Sequence, residues 1–76
     1  MRHASPQPFS KSQREYTKLL CEQGLSMTEI AEKTGTTKNV VCTRIHEVRQ
    51  ILEIKSSFKM IVTYHTDETF RELINS

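Results

Sequence analysis

The stretch LSMTEIAEKTGTTKNVVCTRIHEVRQIL, residues Leu25 to Leu52, decides the fold. Ser26-Met27-Thr28-Glu29 has the form of a capping box, in which the serine oxygen accepts from a first-turn N–H and the glutamate reaches back to the serine N–H. Leu25, just before it, can pack on Ile30 as a hydrophobic staple, which fixes the helix start to within about two residues. Ile30 and Ala31 face inward, and this helix ends after about two turns at Thr34-Gly35, where glycine can take the left-handed conformation. Thr36 or Thr37 supplies the next N-cap. From there Val41, Ile45, Val48 and Leu52 follow at spacings of four, three and four, an apolar seam on a helix over about 37–52. A short capped helix, a glycine turn and a longer amphipathic helix make a helix-turn-helix, the arrangement in which the second helix can lie in the major groove of DNA.

Working outward, residues 1–8 contain Pro6 and Pro8 and no apolar periodicity, and read as a flexible N-terminal arm. Order begins near Phe9, and either Ser10 with Gln13 or Ser12 with Glu15 can open the first helix. Tyr16, Leu19, Leu20 and Gln23 share one face, which puts Tyr16 and the leucine pair on a buried stripe, and Gly24 ends the helix. On the other side, Lys55 to His65 fits a helix with Phe58, Ile61 and Val62 inward, although Phe58, Met60, Val62 and Tyr64 also alternate as in a strand. Thr66-Asp67-Glu68 starts a last helix with acids at its positive dipole end, and Phe70, Leu73 and Ile74 form its apolar stripe. That helix is expected to pack on its own domain; extending a dimer interface or binding a partner are the alternatives.

A chain of 76 residues has apolar material for one all-α domain of four to five helices and too little for a deep catalytic cleft. No enzyme activity, catalytic residue or cofactor is therefore expected. No stretch approaches the roughly 20 apolar residues that span a bilayer, and Met1-Arg2-His3-Ala4-Ser5-Pro6 lacks the apolar region of a secretion signal, so a soluble, cytoplasmic protein with no membrane partner is expected. Cys21 and Cys42 fall on different helices without a CxxC pair, which makes reduced thiols the default and leaves a single disulfide possible. Cys42 and His46 at i, i+4 supply two ligands where a metal site needs about four, so no metal is expected. Beside Arg44 and His46, an exposed Cys42 thiol is a candidate for redox sensitivity.

Charge is unevenly spread. The net charge is +2, but residues 33–59 hold six cations against Glu47 and Glu53, a balance of +4, and the tail after Lys59 carries −2. A basic middle suits a face that meets phosphate. At about 100° per residue, Asn39, Thr43, His46 and Gln50 point away from the seam of the third helix, with Cys42, Glu47 and Glu53 flanking them. These four side chains can hydrogen-bond to base edges. Lys38, Arg44 and Arg49 lie to the sides, where phosphates would be.

Gly24-Leu25-Ser26, Glu29-Ile30-Ala31 and Lys33-Thr34-Gly35, followed by Val41 and Leu52, resemble the DNA-binding domain of the bacterial LuxR and GerE regulators. Leu52-Glu53-Ile54-Lys55-Ser56-Ser57 is similar to the family segment that leads into a fourth helix, often the dimer contact. The resemblance covers about Phe9 to His65, which defines a domain over 9–65 and an additional C-terminal helix over 66–76. It implies base contacts at Cys42, Thr43 and His46, with Val40, Cys42, Arg44 and Ser57 departing from the family pattern. Val41-Cys42-Thr43-Arg44-Ile45-His46 and Arg49 also resemble region four of sigma factors, a sibling that normally ends near the third helix.

Together these readings imply a sequence-specific transcriptional regulator that binds double-stranded DNA as a dimer, homo- or heterotypic, through the fourth and fifth helices. Thr37 and Lys38 would engage phosphate at the helix start, Arg44 and Arg49 the flanking backbone, and Asn39, Thr43, His46 and Gln50 the bases. The alternatives are sigma-like promoter recognition and a degenerate helix-turn-helix that binds a regulatory protein instead of DNA. Val40, Cys42, Glu47 and the acidic last helix favour the protein-binding module; Arg44, Arg49 and the basic middle oppose it.

Overall fold

Each helix begins at a side chain that can satisfy its orphan N–H groups. The computed structural model describes residues 8–75, so all of the arm expected over 1–8 except Pro8 lies outside the described residues. Helix α1 spans Lys11–Gln23, α2 Met27–Thr34, α3 Lys38–Leu52, α4 Ser57–Thr66 and α5 Glu68–Ile74, and no strand occurs among the described residues. The N-caps are Ser10, Ser26, Thr37, Ser56 and Asp67, with full capping boxes at Ser10–Gln13 and Ser26–Glu29. Of the two openings allowed for α1 and the two threonines allowed for α3, the structure uses Ser10 and Thr37.

The helix ends follow the same logic. Gly24 and Gly35 close α1 and α2 at φ 67° and 75°, where an L side chain is disfavoured. The end of α3 takes the same left-handed turn without a glycine: Glu53 sits at φ 59°, its N–H donating to Arg49 and Gln50 carbonyls. That choice costs roughly 1 kcal/mol relative to glycine. The turn between α2 and α3 is Gly35-Thr36-Thr37, closed by Thr36 N–H donating to Ala31 O at 3.0 Å.

Helix α3 packs chiefly on α1 and α2, while α4 and α5 pack on each other and on α1. Ile30, Val41, Ile45, Val48, Met60 and Tyr64 are the most enclosed apolar side chains, and Leu25 and Leu52 pack half-buried against them. Phe9 joins from before α1, meeting Phe70 edge-on at 6.1 Å between centroids, and α5 thus folds back on its own domain. Two stripes differ from expectation. In α1 the buried side chains are Tyr16, Thr17, Leu20 and Cys21; Leu19 is half-buried and Gln23 exposed. In α4 Met60 and Tyr64 face the core, whereas Phe58 is 76% exposed, Val62 43% exposed and Ile61 half-buried.

The reason for the α4 phase is Tyr64. Its hydroxyl donates to the Glu22 carboxylate and accepts from Asn75 Nδ2 at 2.8 Å, while its ring meets Phe70 edge-on at 5.9 Å. A buried tyrosine needs a partner for its oxygen, and this rotation of α4 supplies two. Burial, and then the Glu22 bond, push the Tyr64 hydroxyl above its ordinary pKa. At the next residue, His65 Nε2 donates to Cys21 O at 2.8 Å and ties α4 to the end of α1.

Candidate nucleic-acid interface

Helix α3 is held on its inner side by both α1 and α2, and this determines what it turns outward. Val41, Ile45 and Val48 are buried, so Asn39, Thr43, His46 and Gln50 emerge together within a narrow arc, and all four are exposed. Thr37 and Lys38, at the N-terminal end, are exposed as well. The expected site residues therefore form one continuous surface with two different edges.

On one edge lie Lys38, half-buried Cys42 and Arg49. The Arg49 guanidinium donates from Nη1 to Lys55 O at 3.1 Å and stands 3.3 Å by Nη2 from His46 Nδ1; its Nε is buried and without a partner among the described residues. The other edge carries Val40, Glu47 and Arg44. Arg44 Nη1 pairs with Glu47 Oε1 at 2.7 Å, and Gln13 Nε2 of α1 donates to the same oxygen at 2.8 Å. These contacts, the Gln13 bond first and Arg44 next, hold the Glu47 carboxyl below the usual carboxylate range. An acid beside a phosphate-binding face would repel DNA; here its charge is matched within the protein. Both arginines thus keep only their remaining N–H groups for an outside acceptor.

Gln13 was not visible as a site-supporting residue. Thirty-four positions separate it from Glu47, and its sequence context explains it fully as the third residue of a capping box, a role it also fills by accepting from Ser10 N–H at 2.7 Å. The exposed apolar residues were equally hidden: Ile51 near the end of α3 and Phe58 and Val62 on α4 lie on the surface.

Both cysteines are free; burial, with Glu22 adding, pushes the Cys21 thiol up to about 12, and Cys42 is half-buried. Among the described residues no three His, Cys, Asp or Glu side chains gather as a metal site, and no helix is long and apolar enough to cross a membrane. An open groove lined by Lys11, Arg14, Glu15, Lys18, Ile74 and Asn75 lies on the side of α1 turned away from Gln13.

A comparison with protein families places this geometry. The model of the UPF0122 family, described as "Putative helix-turn-helix protein, YlxM / p13 like", matches residues 8–76. This supports the helix-turn-helix part of the resemblance read from the sequence and not the LuxR/GerE assignment. No curated protein and no solved structure matches the chain significantly.

Proposed function

The chain belongs to the YlxM/p13-like helix-turn-helix family, and on that premise we propose that it binds duplex DNA sequence-specifically and regulates transcription, with α3 in the major groove. The observation that carries this reading is the single exposed face of Asn39, Thr43, His46 and Gln50 on the second helix of a three-residue-turn helix-turn-helix. Thr37 and Lys38 serve the phosphates at the start of α3, where the helix dipole adds attraction, and Cys42 lies within reach of the same groove. Arg44 and Arg49 reach flanking phosphates with the N–H groups their internal partners leave. No catalytic step and no cofactor enter this mechanism.

Titration of the labelled protein with a mixed-sequence duplex, followed by amide shifts at low and moderate salt, tests it. Shifts confined to about Thr36 to Gln50 and weakened by salt support the reading. Their absence at low salt removes it.

A second reading, a helix-turn-helix that works by binding protein, is favoured by Ile51, Phe58 and Val62, exposed apolar residues at the α3–α4 end. In the DNA-binding reading the same residues serve a dimer through α4, each copy on one half-site. Sedimentation of wild type and Phe58→Asp with and without duplex separates the two: dimerisation lost together with DNA affinity supports the half-site scheme.

A further inference from the structure

We propose that Arg49 is a positioning residue for base readout: it fixes His46 as the tautomer with hydrogen on Nε2, making His46 a donor to an acceptor on a base edge, N7 or O6 of guanine. The proposal rests on the reading of α3 as the DNA-contacting helix. A guanidinium carries five N–H donors and no acceptor, so a ring nitrogen 3.3 Å from Arg49 Nη2 presents its lone pair. A neutral imidazole has one N–H, and with Nδ1 accepting, that hydrogen is on Nε2.

Arg49 is well held for this task. Its Nη1 donates to Lys55 O in the segment leading to α4, and its Nε is buried. His46 is exposed on the arc between Asn39, Thr43 and Gln50, and its Nε2 has no partner among the described residues. A donor at that point meets acceptors in the major groove: guanine sets N7 and O6 side by side, whereas adenine N7 stands beside an amino donor, thymine O4 beside a methyl group, and cytosine presents only its amino donor.

The test begins on the free protein. Long-range proton–nitrogen spectra of wild type at alkaline pH are expected to give His46 one tautomer, with pyridine-like Nδ1 and pyrrole-like Nε2. Arg49→Met is expected to move both shifts toward the average of exchanging tautomers. Selection from random duplexes is expected to show a guanine preference at one position that falls at least about fivefold in His46→Ala and in Arg49→Met, whereas loss of a phosphate contact at Arg49 alone would lower affinity evenly across sequences. An Nδ1–H tautomer or a mixture in wild type overturns the proposal, and does so even if Arg49→Met fails to fold. Nitrogen shifts identical in wild type and Arg49→Met overturn it too. A single tautomer in a protein that binds no duplex at low salt overturns the readout role through failure of the DNA reading itself, a result distinct from failure of the Arg49–His46 coupling.

Discussion

The segment from α2 through α3 and the pair α4–α5 solve the same problem by different means. In the first, local rules agree: Ser26 and Glu29 start α2, Gly35 ends it, Thr37 starts α3, and the apolar seam has a single phase. In the second, caps are present at Ser56 and Asp67, but the apolar residues of α4 lie on nearly every side and local pattern does not choose among them. There the phase goes with Tyr64, whose hydroxyl donates to Glu22 of α1 and accepts from Asn75 at the end of α5. Agreement among local signals fixes an element early; where they disagree, a single buried polar group can set the rotation of a whole helix.

The contrast can be broken most directly at Ile30 and Phe58. Ile30 is 0% exposed, and Ile30→Ala is expected to cost about 3 kcal/mol in urea unfolding. Phe58→Ala, on the apolar residue that sequence pattern alone would have buried, is expected to change stability by less than about 0.5 kcal/mol. A large loss at Phe58 in a monomeric preparation would restore the other phase for α4.

Cys21 tests the junction of α4 with α1, since its carbonyl accepts from His65. Its thiol is pushed from 9.0 to about 12 by burial, so above pH 9 the unfolded chain releases a proton that the folded chain keeps. Stability is therefore expected to fall as pH rises from about 9 toward 12. The raised Tyr64 acts in the same direction, so the diagnostic is the difference: Cys21→Ala should show a shallower alkaline decline in urea midpoints than wild type.

Smaller effects sharpen the picture. Ser26→Ala removes an acceptor for Glu29 N–H and should cost about 1 kcal/mol in thermal or urea unfolding. At the joint between the regions, Glu53→Gly should instead stabilise by up to about 1 kcal/mol, because glycine accepts φ 59° without steric penalty. If Glu53→Gly destabilises, the left-handed end of α3 is absent in solution.

Much of the α2–α3 half was legible in the sequence because capping and glycine termination act within four residues of chain. The arc of Asn39, Thr43, His46 and Gln50 followed from helical geometry once the buried seam was known. What was not legible needed partners far away: Gln13 bonding Glu47, Tyr64 turning inward, and Thr17 and Cys21 joining Tyr16 and Leu20 on the buried side of α1. The left-handed Glu53 gave no signal, since the residue type ordinarily found there is glycine. The family was blurred for a related reason. Gly24-Leu25-Ser26 and Glu29-Ile30-Ala31 are the terminator, cap and buried pair that any helix-turn-helix of this geometry uses, so they identify an architecture more strongly than a lineage.

The two roles of Gln13 join separate parts of the molecule. Its backbone N–H and side-chain oxygen belong to the first turn of α1, and its side-chain nitrogen to the middle of α3. Fraying of that turn would withdraw one of the two partners of Glu47, so the beginning of the domain and the edge of its outward-facing helix are linked through a single side chain. The middle of α3 thereby touches a helix start more than thirty residues upstream.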